Sequence, residues 1–216
     1  ARTRRHLPLT GYQRIDPFRG FEAYWSVPAR EVTAINGSWI KGPGRDLFLA
    51  MVQAFEGELP IFAEDLGIIT PEVEHLRDSL GFPGMKVLQF GFGDMNDQNY
   101  VPHFYTSCNC ICYTGTHDND TTMGWYQEQP EIIKDRIRRY GNTDGNLVSL
   151  DFIRFCLGSI ARYALFPLQD LLTLGSEARM NTPGVAANNW AFRYEEEDLT
   201  PERVQWLLKT TKLYGR

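Results

Sequence analysis

Acidic residues close apolar segments at three places in this sequence: Asp16 after Ile15, Glu64 and Asp65 after Ala63, and Asp118 after His117. In α/β barrels, active sites are built from residues at such strand ends. Three carboxylates at one mouth would suit retaining glycosyl transfer. One attacks an anomeric carbon, one protonates the leaving oxygen, and a third stabilises the charge-deficient sugar. Arg14 lies two residues before Asp16 and would share its face of a strand, where a cation keeps a nucleophilic carboxylate ionised. Taken alone, the same carboxylates also read as helix caps or solvated loop charges, the commoner fate of Asp near the end of an element. Trp25, Trp39, Trp125 and Trp190 fall in or near expected loops, where indoles could stack on sugar rings, and Trp206 falls on the last helix. For any one of them core packing is the simpler role.

The elements that must carry these groups alternate. Leu47, Phe48, Met51, Val52 and Phe55 recur at helical spacing and predict a helix near 45–56. Leu59 to Ala63 is a short apolar run, predicting a strand buried on both faces with Glu64 and Asp65 at its C-terminal end. Thr70 and Pro71 cap a helix with stripe Val73, Leu76 and Leu80, stopped by Gly81. Met85 to Phe90 and Asn109 to Tyr113 predict two further strands, the second running into Thr114 to Asp118. Helical patterns follow near 130–140 and 147–158, the latter with Leu147, Leu150, Ile153 and Leu157 on one face. Tyr163 to Phe166 predicts a last strand. Thr200 and Pro201 open a last helix with Val204, Leu207 and Leu208 inward and Leu199 stapled to Val204. Strands alternating with amphipathic helices indicate an α/β fold with a parallel sheet, either a barrel or a doubly wound sheet. Gly91-Phe92-Gly93 lacks the third glycine and receiving helix of a dinucleotide site.

The chain has 216 residues, 27 acidic against 22 basic side chains and a formal net charge of −5, with 43% hydrophobic and 23% charged residues. That composition is globular, and its acidic balance argues against nucleic acid as a partner. No apolar run of ~18 residues is present to span a membrane. The length falls short of the roughly 250 residues typical of a (β/α)₈ barrel. Cys108, Cys110 and Cys112 alternate, which on one strand would put three sulfurs on one face. That spacing suits neither a zinc half-site nor a disulfide, so the three, with Cys156, read as small buried hydrophobes in a reducing compartment. The basic N-terminus, Ala1 to His6, lacks the apolar segment of a signal peptide.

Longer motifs carry a resemblance. Arg14-Ile15-Asp16-Pro17-Phe18-Arg19-Gly20-Phe21-Glu22-Ala23-Tyr24-Trp25, Ala63-Glu64-Asp65-Leu66-Gly67, Gly81-Phe82-Pro83-Gly84-Met85-Lys86-Val87-Leu88-Gln89-Phe90 and Tyr113-Thr114-Gly115-Thr116-His117-Asp118-Asn119 resemble the amylomaltases. These are the 4-α-glucanotransferases, or disproportionating enzymes, of glycoside hydrolase family 77. Thr33 to Gly37, Lys41 to Gly44, Arg179 to Gly184 and Asn189-Trp190 extend the match in the family's order. The resemblance implies a (β/α)₈ TIM-type barrel, of which residues 1–216 would supply only the later strands and helices, with 1–13 a poorly matching segment. It implies double displacement with no metal or organic cofactor, acting on α-1,4-glucans and maltooligosaccharides. By the same resemblance Asp16 would be the nucleophile, Glu64 the general acid/base and Asp118 the transition-state stabiliser. Arg14, His117, Asn119 and Trp25 would contact substrate. The expected location is the cytoplasm, or a plastid if a transit peptide lies upstream. The family has His where this chain has Pro17, so any hydrogen bond from that side chain is lost, and Leu7 to Gln13 is a poor strand where the family has an apolar one. An α-glucan hydrolase using the same carboxylates, and a truncated chain that only binds glucan, are the competing readings.

Overall fold

Parallel strands cannot be joined by a tight turn, so each pair here brackets a long crossover. The computed structural model describes residues 2–6, 9–57, 59–94 and 98–216, so Leu7 and Pro8 of the poor-strand segment lie outside the described residues. The chain divides into two units, Ala1–Met85 and Lys86–Arg216.

The first unit contains α1 (Arg2–His6), β1 (Gln13–Ile15), β2 (Ala23–Ser26), β3 (Ser38–Lys41), α2 (Gly44–Phe55), β4 (Ile61–Ala63) and α3 (Pro71–Ser79), and ends within β5 (Gly84–Val87). Strand β1 pairs in parallel with β4, Ile15 opposite Ala63. The ladder continues past both strands, with Glu64 N donating to Ile15 O and Phe18 N to Glu64 O, each at 2.9 Å. Beneath it Phe18, Phe48, Ile61, Ala63, Val73, Leu76 and Phe82 form the core. Helix α2 buries Phe48 and packs Met51 and Phe55 on this core, while Val52, expected inward, faces out. Helix α3 begins at Pro71 behind Thr70, and Gly81 follows it with φ of 68°, a left-handed geometry that glycine adopts without steric cost. Strands β2 and β3 form an antiparallel hairpin with Trp25 opposite Trp39. Residues expected in loops are therefore a cross-strand aromatic pair, an arrangement that favours strands through side-chain packing.

The second unit contains the end of β5, α4 (Leu88–Gly93), β6 (Cys110–Tyr113), α5 (Thr122–Glu128), α6 (Glu131–Gly141), α7 (Val148–Leu157), β7 (Tyr163–Leu165), α8 (Leu168–Leu171) and α9 (Pro201–Leu213). The strand order is β5-β6-β7, with β6 and β7 parallel and Tyr113 opposite Leu165. Helices α5, α6 and α7 make the crossover. Their inner faces meet Leu88, Phe92, Cys110 and Cys112 in one cluster that includes Tyr126, Ile133, Ile137, Phe152 and Cys156. None of the helices among the described residues is long and apolar enough to cross a membrane.

Several expectations are corrected. The strand expected over Met85 to Phe90 stops at Val87, because Leu88, Gln89 and Phe92 are buried at helical spacing in α4. Cys108 lies outside β6 and is exposed, so only Cys110 and Cys112 are buried there, the latter with its sulfur 3.3 Å from that of Cys156. Helix α7 starts after Leu147, which is exposed, and buries a wider face of Val148, Phe152, Ile153, Cys156 and Leu157. Helix α9 turns Trp206 and Leu207 toward a cluster of Ile153, Leu157 and Leu171, leaving Val204 50% and Leu208 43% exposed, so Leu199 packs there without the expected staple. Trp125 sits on α5 against the core, not in a loop.

Candidate active site

In the first unit, the register of β1 against β4 places Asp16 and Glu64 one residue beyond the paired Ile15 and Ala63. Both side chains therefore leave the C-terminal ends of neighbouring strands, which in a sheet run about 4.8 Å apart. Arg14 Nη2 donates to Asp16 Oδ2 at 2.8 Å, as the two-residue spacing predicts, and the Asp16 side chain keeps 46% of its surface exposed. Pro17 follows through a cis peptide bond. Glu64 is half-buried, and its Oε1 accepts from Leu66 N at 3.0 Å. Burial pushes its carboxyl above the usual carboxylate range. The Leu66 amide pulls the other way, the charges of Asp16 and Asp65 raise it further, and Arg14 lowers it. A carboxyl held toward its protonated form beside an arginine-paired carboxylate is the arrangement that separates an acid from a nucleophile.

Asp65, adjacent to Glu64 in sequence, has another fate. It is buried, accepts from Met85 N at 2.7 Å and pairs with Arg77 of α3, which also reaches Asp78 at 2.7 Å. This anchor ties the end of β4 to α3 and to the start of β5. It explains Gly84, where a Cβ would overlap the Asp65 carboxylate and come within 3.0 Å of Arg77 Nη1. Trp25 Nε1 donates to Ala34 O at 2.8 Å, and its ring meets Trp39 at 5.4 Å between centroids. The Arg19 guanidinium lies 4.3 Å over the Trp39 ring.

In the second unit, the loop from Thr114 to Thr121 joins β6 to α5 and carries His117, Asp118 and Asn119. Asn119 Oδ1 accepts from Thr116 N at 2.8 Å and from Thr116 Oγ1 at 2.9 Å, so this side chain staples its own loop. Asp118 projects with 47% of its side chain exposed. Asn181 Nδ2 donates to Asp118 Oδ1 at 2.6 Å, Arg179 Nη2 to Asp118 O at 2.8 Å, and His117 Nε2 lies 3.5 Å from Asp118 Oδ1. Trp190 packs on His117 at 5.1 Å between centroids, its own amide donating to Met180 O at 2.7 Å. Asn189 holds the intervening turn by bonding Thr182 N at 2.9 Å and Val185 O at 2.7 Å.

The expected residues thus fall into two groups, Arg14, Asp16, Glu64 and Trp25 in the first unit and His117, Asp118 and Asn119 in the second. Reading the sequence missed roles for Arg179, Asn181 and Asp170. The first two belong to a recognised motif, but nothing in the sequence says that they grip Asp118. Asp170 sits in Pro167-Leu168-Gln169-Asp170 with no pattern to mark it.

Comparison with known proteins follows the same residues. A family profile described as 4-alpha-glucanotransferase, of glycoside hydrolase family 77, matches residues 1–200. A 4-alpha-glucanotransferase of Synechocystis sp. is 48% identical over the whole chain, and one of Thermus thermophilus is 49% identical over 93% of it. Amylomaltase from Streptococcus agalactiae, solved in complex with acarbose, superposes on all of the chain with a TM-score of 0.94 at 35% identity. The chain spans 43% of the Synechocystis relative, 41% of the Thermus relative and 43% of the streptococcal chain. A profile match over nearly the whole sequence, and strand ends that carry the motif carboxylates, make this chain a member of the 4-alpha-glucanotransferase family, glycoside hydrolase family 77.

Proposed function

We propose that the chain carries the reacting groups of a 4-α-glucanotransferase, which cuts an α-1,4 bond in one glucan and rejoins the released segment to a 4-hydroxyl of another. Its strands would belong to a (β/α)₈ barrel, whose active sites form at the C-terminal ends of the strands. The observation that carries the reading is the contrast at the ends of β1 and β4. Asp16 is paired to Arg14, and Glu64 is pushed toward its protonated form by burial and by the charge of Asp16. The complex of the streptococcal amylomaltase with acarbose supports an α-glucan or maltooligosaccharide as the substrate class.

In this reading an Asp16 oxygen attacks the anomeric carbon while Glu64 gives its proton to the departing 4-oxygen, leaving a glycosyl ester on Asp16. Ester formation removes the charge of Asp16, one of the influences that raise Glu64, so Glu64 becomes the stronger acid and stays ionised as the base for the second step. The incoming 4-hydroxyl gives its proton to Glu64 as its oxygen attacks the anomeric carbon, and Asp16 is released. Asp118, oriented by Asn181, is assigned to the sugar hydroxyls that gain charge in the transition state, with His117, Asn119 and Trp25 as further sugar contacts.

Incubation with maltotriose tests the proposal. Transfer yields glucose together with oligomers longer than maltotriose, and Asp16→Asn abolishes both. Glucose and maltose alone would make the chain a hydrolase. Activity that survives Asp16→Asn would remove Asp16 from the reaction.

A further inference from the structure

The loop that presents Asp118 is held at both ends by one buried carboxylate. At its start Thr114 Oγ1 donates to Asp170 Oδ2 at 2.5 Å. At its end Thr122 N donates to Asp170 Oδ1 at 2.8 Å and Thr122 Oγ1 to Asp170 Oδ2 at 2.7 Å. Asp170, Thr114 and Thr122 have no exposed surface. Between these ends Gln89 Nε2 donates to Asp120 O at 2.9 Å, and Ser176 Oγ to Asp120 Oδ2 at 2.5 Å. Register explains how Asp170 arrives there. Strands β6 and β7 are parallel neighbours that end together at Tyr113 and Leu165, so the segments leaving them run side by side. The segment leaving β7 carries Asp170 on α8 and then Arg179 and Asn181, the two donors to Asp118.

Burial pushes the Asp170 carboxyl up from its ordinary value while the hydrogen bonds from Thr114 and Thr122 pull it back, and a buried carboxyl is costly unless its lone pairs are used, as three donors use them here. An amide in its place has a single oxygen, so it cannot accept from Thr122 N and from both threonine hydroxyls at once, and a hydroxyl left over must turn to accept from the NH₂.

We propose that Asp170 is a positioning residue for Asp118: by binding Thr114 and Thr122 at once, it fixes the span and orientation of the loop on which Asp118 meets the sugar. It touches no substrate. This rests on the reading of Asp118 as a reacting group.

The test compares the unsubstituted chain with Asp170→Asn and with the milder Thr114→Val and Thr122→Val, by maltotriose kinetics and by amide hydrogen exchange. In folded variants kcat should fall about 10- to 100-fold for Asp170→Asn, with KM within about twofold, because displacing a reacting group by about 1 Å costs on that scale. Exchange should quicken in residues 114–122 and not in α6 or α7. Adding Asp170→Asn to Asp118→Ala should cost nothing further, since Asp170 acts through Asp118. Unchanged kcat, unchanged exchange in 114–122, or full additivity in the double variant would overturn the proposal. If Asp170→Asn does not fold, the two threonine variants decide by the same readouts. A chain that shows no transfer at all overturns the reading of Asp118 and with it the catalytic part of the proposal, while exchange still decides whether Asp170 holds the loop.

Discussion

Replacing Asp65 by Asn separates the anchoring carboxylate from Glu64 beside it, the carboxyl to which the proposal gives the acid/base role. Asp65 and Arg77 keep only 6% and 17% of their side-chain surfaces exposed, so their ion pair is largely desolvated. In Asp65→Asn the amide oxygen can still accept from Met85 N, which leaves the NH₂ facing the guanidinium, donor against donor. Breaking a buried pair by removing one partner costs about 3–5 kcal/mol. Arg77 retains Asp78 at 2.7 Å on its exposed side, so part of that penalty is relieved and a loss of about 2–3 kcal/mol is expected. With a urea m-value of about 2–3 kcal/mol/M, the midpoint should fall by about 1 M. The change in tryptophan emission that Trp25→Phe with Trp39→Phe removes, against the signal left by Trp125, Trp190 and Trp206, reports the transition of the first unit. Gly84→Ala should cost a similar amount by displacing the same carboxylate, and the two substitutions together should cost less than their sum. A loss in Asp65→Asn below about 0.5 kcal/mol at unchanged m-value would refute the buried-anchor account.

Three further outcomes are expected. Because folding raises Glu64 above its ordinary value, the stability it contributes is present in acid and lost as the pH rises through that raised value. The stability of Glu64→Gln relative to the parent should therefore grow between about pH 4 and neutrality, and a constant difference in urea titrations at the two ends would contradict the burial argument. Phe152 has no exposed surface and meets Phe92 at 5.2 Å and Trp125 at 5.7 Å between centroids, so Phe152→Ala should lower unfolding free energy by about 3–5 kcal/mol; a loss under about 1.5 would show that the cavity collapses. Asn181→Leu removes the donor to Asp118 Oδ1 and should lower kcat on maltotriose about 10-fold in a folded protein, a value within twofold of the parent showing that Asp118 needs no such support.

The type and order of most elements were legible from the sequence. Helices α2, α3, α6, α7 and α9 and strands β4, β6 and β7 lie within a few residues of where periodicity and capping place them, because apolar spacing and Pro or Gly punctuation act locally, whereas β1 follows a segment that reads as a poor strand. The misreadings share a cause. Leu88 to Phe90 continue an apolar run that suits strand or helix equally, and burial of Gln89 and Phe92 beside Leu88 settles it as α4. Val204 and Leu208 share a helical face with Leu207 in projection, yet only Leu207 meets the core, because the rotation of α9 is set by the cluster it packs on. The β2–β3 hairpin lacks a tight two-residue turn and is held by Trp25 against Trp39 across a long connection.

The site divides along the same line. Sequence alone marked Asp16, Glu64 and Asp118 and the Arg14 to Asp16 spacing, since motif words and a two-residue repeat need no knowledge of neighbours. It was silent on why Glu64 is raised while Asp65, the next residue, is an anchor. That difference follows from the side of β4 on which each lies, one beside Asp16 and the other over Arg77 and Met85. The sequence marked Arg179 and Asn181 only as motif residues and Asp170 not at all, and was silent on their reach to the Asp118 loop, which follows because β6 and β7 pair in parallel and end together. Local spacing names chemical groups, whereas burial and hydrogen-bond partners depend on strands and helices far apart in sequence, and only the tertiary structure brings these into contact.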